Sequence, residues 1–338
     1  VSTLAEPRAN PLLVGHVGAV AQIVDAMRAG RLHHAWLVTG KPGIGKATLA
    51  FRFARGLLAG GTPDDALGLP EKSPAFRRIA AGTHADLLTV EREWDPKRKK
   101  LRGEIIVDDV RGIADFLHRT PAEGGWRVVV LDGAEDLNRN AANALLKMLE
   151  EPPRRAVLIL VCSAAGRLLP TIRSRCRRLR LDPLSEDEMA RLLATALPDT
   201  RADERARLAA LAEGSPGRAL QLAGEGGIAV AEMVTGVLKK LPGLTLEHAH
   251  ETADKLGRDE DAFGTFMDLL RAELSAAVRE AARGRADPIQ ARMLGAAPLD
   301  AWVEVWQRLT RLQRETEDFY LDKRQALVTS FQMLATGV

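Results

Sequence analysis

Residues 33–60, "HHAWLVTGKPGIGKATLAFRFARGLLAG", constrain the chain more than any other stretch. An apolar run ends in a glycine-rich turn; apolar residues then recur at helical spacing (Leu49, Phe53, Leu57) until a glycine pair stops them. The turn fits G-x-x-x-x-G-K, with Gly40, Gly45 and Lys46 in place. Gly40, Gly43 and Gly45 let backbone N–H groups point at phosphate oxygens ahead of a helix N-terminus, and Lys46 brings a positive point charge. The next position, where a hydroxyl would help hold magnesium, is Ala47, followed by Thr48. Taken alone, the segment also fits an ordinary glycine turn between a strand and a helix.

The alternation continues beyond it. "EIIVDDVRGIADFL" reads as a brief strand feeding a helix, "WRVVVLD" and "AVLILVCSA" as buried strands, and "NAANALLKMLEEPP" as a helix broken by two prolines. Strands alternating with helices predict an α/β fold whose mostly parallel sheet is covered on both faces, with ligands outside the carboxyl ends of the strands. After "RRLRLDPLSEDEM" the strand signals end. Residues 183–226 read as a small helical unit opening on a capping box at Ser185 and Glu188, and "GEGG" (residues 224–227) as a linker. From 227 to 338 the pattern is all helix, with Trp302, Trp306, Leu309 and Leu312 marking one face of a long element. The expected domains are therefore 1–182, 183–226 and 227–338, as suits a chain of 338 residues.

Composition removes several function classes. The formal net charge is only +3, from 48 basic and 45 acidic residues, which argues against coating nucleic acid by bulk charge. The two cysteines, Cys162 and Cys176, can form neither a disulfide framework nor a four-cysteine zinc site. The amino terminus lacks the pattern of a signal peptide, and no apolar stretch reaches the roughly 18 residues that span a bilayer. The expected location is the cytoplasm, with no membrane partner.

Two further segments carry chemistry. "VVVLDGAEDLN" puts Asp132 at a strand end, where phosphate-loop enzymes place the acid that organises magnesium. The residue after it, usually a water-orienting glutamate, is Gly133; Glu135 and Asp136 lie on a different part of the turn. In "RLLPTIRSRCRRLRL", Arg173, Arg175, Arg177 and Arg178 crowd the end of the first domain. Such a run is either a solvated face or a set of phosphate contacts.

Together "RLHHAWLVTGKPGIGKATLA", "NAANALLKMLEEPP", "TIRSRC" and "GSPGRALQLA" resemble the delta prime subunits of bacterial DNA polymerase III, non-motor members of the clamp-loader family in the AAA+ superfamily. The likeness covers about the first 225 residues, and "FYLDKRQALVTSF" extends it weakly into the helical remainder. It implies a P-loop AAA+ parallel-sheet domain, a helical lid domain and an all-helical collar domain for oligomerisation. It also implies a largely non-hydrolysing stator within the DNA-directed DNA polymerase (a nucleotidyltransferase holoenzyme). The implied partners are gamma/tau motor subunits and the delta subunit, and, through the complex, the sliding clamp and primed DNA. Arg175 matches the arginine of the Ser-Arg-Cys motif, which enters a neighbour's ATP site as a finger. Arg218 matches the lid arginine that senses nucleotide, and Ser163 falls near a sensor position.

The nucleotide-binding set implied is thus Gly40, Gly43, Gly45, Lys46, Ala47, Thr48, Asp132 and Arg218. ATP or ADP is expected to bind without efficient hydrolysis, because Ala47 and Gly133 each remove a separate requirement of the reaction. The chain departs from the family in lacking the four-cysteine zinc module after the loop helix, so no zinc is expected. His84 is then a surface or capping residue, and the basic run Lys97–Lys100 a charged turn between two strand-like stretches, with DNA contact as its alternative. Two other readings compete: an active gamma/tau-type ATPase motor of the same loader, and an unrelated phosphate-loop module.

Overall fold

The strand before the glycine turn lies inside a five-stranded parallel sheet of the computed structural model. The structure describes residues 5–60, 64–96, 100–123, 125–224, 226–256 and 262–337. They fall into two units, Val1–Ala219 and Leu220–Val338.

The first unit begins with α1 (Val17–Arg28), β1 (Ala35–Thr39), α2 (Lys46–Leu58), α3 (Pro74–Ala80) and β2 (Leu87–Val90). A two-stranded antiparallel ribbon follows, β3 (Trp94–Asp95) and β4 (Lys100–Leu101). Then come α4 (Val107–His118), β5 (Arg127–Asp132), α5 (Arg139–Glu150), β6 (Ala156–Cys162), α6 (Pro170–Arg175) and β7 (Arg177–Arg180). The large sheet has the order β2-β5-β6-β1-β7. Helices α7 (Glu186–Ala196) and α8 (Ala202–Ala212) complete the unit, and α9 (Pro216–Gly224) starts in it.

Alternation along each strand sorts side chains to two cores. On β1, Trp36 and Val38 join Ile23 of α1 and Leu49 and Phe53 of α2, while Leu37 joins Ile113 of α4, Leu145 of α5 and Ile172 of α6. Trp36 meets Phe53 edge-on, with ring centroids 5.4 Å apart. Fully burying a side chain of leucine size stabilises by about 1.5–3 kcal/mol, so both faces must be covered by helices. The sheet is thus parallel and covered by helices on both faces, as the alternation of strands and helices predicts. Helix α7 opens as the sequence predicts, with the Ser185 Oγ accepting from the Glu188 N–H and the Glu188 carboxylate accepting from the Ser185 N–H.

Some expectations are corrected. "EIIV" contributes only a bridge from Ile105 to Leu137, and the sheet edge is β2 instead. The cause is local: the Asp109 carboxylate accepts the Ile106 N–H at 2.9 Å and turns the segment into the start of α4. His84, expected as a surface or capping residue, is 4% exposed and so not on the surface, while its Nδ1 accepts the Asp86 N–H two residues on, as a capping residue would. Lys97–Lys99 of the basic run lie outside the described residues, and Lys100 opens β4.

The second unit holds α10 (Gly227–Lys240), α11 (Leu246–Leu256), α12 (Ala262–Ala282), α13 (Pro288–Leu294), α14 (Leu299–Phe319) and α15 (Lys323–Thr336). Helices α12 and α14 pack together, as do α11 and α15. The buried stripe of α14 runs Trp302, Val305, Leu309, Gln313, Thr316; Leu312 is half-buried, and Trp306 lies on the flank, donating its indole N–H to the Arg271 carbonyl. No helix among the described residues is long and apolar enough to cross a membrane.

Candidate functional site

Parallel register sets out the site before any side chain is considered. Thr39 pairs with Cys162, and Asp132 with Val161, so the ends of β1, β6 and β5 form one row. The glycine turn leaves from the end of β1. Gly40, Gly43 and Gly45 have φ of 158°, 71° and 104°, which L side chains rarely adopt, and Gly45 leads directly into α2. The turn is therefore a concave backbone cradle in front of a 13-residue helix.

Lys46 sits at the bottom of this cradle. It is buried and donates from Nζ to the carbonyls of Gly40 (3.0 Å) and Lys41 (2.8 Å). Burial pushes its ammonium below the ordinary lysine range, and the carboxylates of Glu135 and Asp132 oppose that shift. Asp132 is itself pushed up, chiefly by burial and then by the charge of Glu91. So the structure brings Gly40, Gly43, Gly45, Lys46 and Asp132 together. Ala47 and Thr48 follow on α2, both half-buried. Thr48 does not stand in for the missing hydroxyl, because consecutive helical residues point about 100° apart.

The position after Asp132 departs from a hydrolysing site in its backbone as well as its side chain. Gly133 has φ 79° and ψ 44° and starts a tight turn over Ala134–Asp136. A glutamate there would carry the strain of left-handed backbone. The turn sends Asp136 to Arg92 (3.2 Å) and Arg167 (3.9 Å), and Glu135 to the end of β6. There the Glu135 Oε1 accepts the Ser163 N–H at 2.8 Å, and the Cys162 thiol hydrogen-bonds to the same carboxyl group. Ser163 thus enters the site through its backbone. A cleft of about 940 Å³ opens beside Asp132, lined also by Thr89, Glu91, Trp94 and Asp109.

The lid touches the cradle from above. Gly217 donates its N–H to the Gly43 carbonyl at 2.8 Å, and the Ser215 hydroxyl donates to the Pro42 carbonyl at 2.9 Å. Lys41 pairs with Glu213 at 3.0 Å. A Cβ on Gly43 would lie 2.7 Å from the Ser215 Oγ and 3.1 Å from the Arg218 N, so Arg218 begins its side chain at the rim of the loop. The two hydrogen bonds use loop carbonyls, and among the described residues they occupy none of the loop N–H groups. From the other side, the His16 ring contacts the Ile44 carbonyl at 2.9 Å. Sequence reasoning missed His16, Ser215 and the inward course of Glu135; only the last had a signal, its spacing from Asp132.

Arg175 is not part of this group. It ends α6, and its guanidinium pairs with Glu150, the last residue of α5, at 2.8 Å while donating to the Thr171 carbonyl at 3.1 Å. The His34 Nε2 to Leu149 carbonyl contact (3.1 Å) and the pairing of Arg177 with Trp36 put both helix ends beside the start of β1. The length of β1, roughly 15 Å, lies between Arg175 and the cradle. The other arginines nearby are partly absorbed by packing: Arg177 lies over the Trp36 ring, 4.8 Å from its centroid.

The residues fit one half of a nucleotide site and not the other. A glycine cradle, a helix N-terminus and a lysine suit a phosphate chain, but no hydroxyl at Ala47 and no carboxylate at Gly133 are present to hold and use magnesium.

Comparison with known sequences places the chain. The sequence model of the family described as "DNA polymerase III, delta subunit" matches residues 15–185. DNA polymerase III subunit delta' of Pseudomonas aeruginosa is 42% identical over 209 residues, covering 62% of this chain and 61% of that protein. The delta' subunit of Escherichia coli is 37% identical over 207 residues, covering 60% and 58%. The chain thus spans about three fifths of the length of these delta' relatives. A gamma subunit-related protein of Thermotoga maritima has a solved structure that aligns over 95% of this chain and 99% of its own, at 17% identity and a TM-score of 0.47. The family match takes in the cradle, Asp132, Glu135 and Arg175 alike, and the chain belongs to the DNA polymerase III delta-subunit family of clamp-loader proteins.

Proposed function

We propose that this chain is the delta prime subunit of a DNA polymerase III clamp loader, a stator that does not itself hydrolyse ATP and that lends Arg175 to a neighbouring subunit's ATP site. One observation carries the proposal: Arg175 projects from the end of the sheet opposite the chain's own cradle, held by Glu150 and Thr171. A guanidinium placed there cannot serve its own loop, and its planar fork suits the charge that develops on a transferring phosphoryl group. The cradle, with Arg218 at its rim, binds ADP or ATP without turnover, since neither Ala47 nor Gly133 offers the groups that magnesium and water require. Its partners are gamma/tau-type motor subunits and a delta-type subunit in the cytoplasm, and it meets the sliding clamp and primed DNA through them. It works without zinc, since its two cysteines, Cys162 and Cys176, cannot make the four-cysteine module of the family.

The test compares steady-state ATPase of the isolated chain with that of the assembly reconstituted from motor and delta-type subunits. The isolated chain gives no turnover, and the assembly's clamp- and DNA-stimulated turnover needs Arg175. Turnover by the isolated chain that disappears in Lys46→Ala would favour the motor reading instead, which the intact Lys46 and Asp132 pair keeps in view.

A further inference from the structure

Glu135 is a carboxylate beside the cradle that the proposed function leaves unused. Its surroundings are specific. Gly133, in left-handed backbone, starts the turn; the Asp136 N–H closes it on the Gly133 carbonyl at 2.8 Å; and Arg92 and Arg167 hold Asp136 on the outer side. This leaves Glu135 directed at the end of β6, where the Ser163 N–H and the Cys162 thiol fix its carboxyl group. The second oxygen, Oε2, is buried and has no hydrogen-bond partner among the described residues. A buried carboxylate oxygen without a donor is costly, and it persists where a nearby charge offsets the cost. Lys46 lies on that side: Ser163 follows Cys162, which pairs with Thr39, and Thr39 leads into the Gly40 carbonyl to which Lys46 donates.

Lys46 is consequently satisfied before any ligand arrives. Two of its three N–H donors go to the carbonyls of Gly40 and Lys41, and the carboxylates of Glu135 and Asp132 both act to keep it charged. In a hydrolysing site a divalent cation would balance an added triphosphate, but Ala47 lacks the side-chain oxygen that would hold it. Each further phosphate therefore brings like charge towards Glu135 at low dielectric.

We infer that Glu135 is a built-in anion that competes with incoming phosphate for Lys46, so that the cradle discriminates against nucleoside triphosphates and favours diphosphates or no nucleotide. The inference rests on the non-hydrolysing reading above and assigns a residue to it.

The experiment titrates the full chain with mant-ADP and with mant-ATPγS, in the wild type, in Glu135→Gln and in Glu135→Gln combined with Lys46→Met. Glutamine keeps an oxygen for the Ser163 N–H and removes the charge; Glu135→Ala serves where the glutamine variant loses its native thermal transition. The wild type should bind the triphosphate analogue no more tightly than the diphosphate. Glu135→Gln should tighten both by about tenfold or more, the triphosphate further than the diphosphate, and Lys46→Met should erase the gain. Unchanged or weaker binding in Glu135→Gln, a gain that survives Lys46→Met, or a wild type that prefers the triphosphate would each overturn the inference. Failure of the underlying reading looks different: the wild type would hydrolyse ATP, and Glu135→Gln would abolish turnover by removing a water-orienting carboxylate.

Discussion

The two ends of the sheet each present one cation with internal partners, and the two differ in solvent access. At the carboxyl end Lys46 is 6% exposed and donates to the carbonyls of Gly40 and Lys41. At the amino end the Arg175 side chain is 37% exposed, and its ion-pair partner Glu150 is 50% exposed. A buried cation whose donors already meet loop carbonyls has less to offer a ligand, because those contacts are not weakened by water. A half-exposed pair is worth about 1 kcal/mol or less, so an arriving phosphate can exchange for the carboxylate with little loss. Solvent exposure, more than residue type, separates a cation that is used up internally from one that is available to a partner.

The largest expected effect falls at the exposed end. Arg175→Ala should lower single-turnover hydrolysis at the neighbouring ATP site by on the order of 10³-fold, while this chain folds and joins the assembly normally. Whole-assembly turnover will fall less, since sites served by other subunits are untouched. Lysine should rescue poorly, because an ammonium lacks the planar fork. Normal ATPase and clamp loading by the mutant assembly would make Arg175 structural and remove one side of the comparison.

At the buried end, Gly217→Ala should destabilise the chain by about 2 kcal/mol, read as a lower thermal midpoint. The new Cβ would lie 2.8 Å from the Gly43 Cα and 3.0 Å from its carbonyl oxygen, atoms that cannot swing aside. Gly133→Glu, which writes the missing glutamate back into the sequence, should cost about 1–2 kcal/mol at φ 79° and yield no ATP turnover. Turnover in that variant would mean that the buried end is one substitution away from a motor site, and would sharpen the contrast into a single residue.

Glu150→Gln should be milder. Stability should change by no more than about 1 kcal/mol, and hydrolysis at the neighbouring site by no more than roughly fivefold. The smallest effect concerns the thiols, one at each end. Burial pushes Cys162 and Cys176 up to about 12, so neither should react with Ellman's reagent at pH 8 in the native chain. Both should react once it is denatured. Rapid labelling of Cys162 alone would show that the Glu135 side of the site opens in solution.

Much of this was legible because local chemistry coincides with tertiary position. The loop glycines, Lys46 and Asp132 lie at strand ends, and strand ends are set by hydrophobic runs that the sequence displays openly. What was not legible depends on which distant backbone groups converge. Nothing in "EIIV" announces that the Asp109 carboxylate will capture the Ile106 N–H, and nothing in "GTHADLL" announces that His84 is covered. Glu135 was visible as a nearby acid. Its inward course needed the left-handed Gly133 and the Ser163 N–H, 28 residues along the chain.

The contact of Gly217 on Gly43 has a mechanical consequence. Two glycines meeting backbone to backbone, with a hydrogen bond across the seam, form a stiff joint with no side chain to act as a spring. Helix α9 crosses from the sheet unit into the helical unit, whose boundary falls at Ala219 and Leu220. Within the first unit, the start of α9 is therefore pinned to the loop that follows β1 through backbone atoms alone, with no slack at this point.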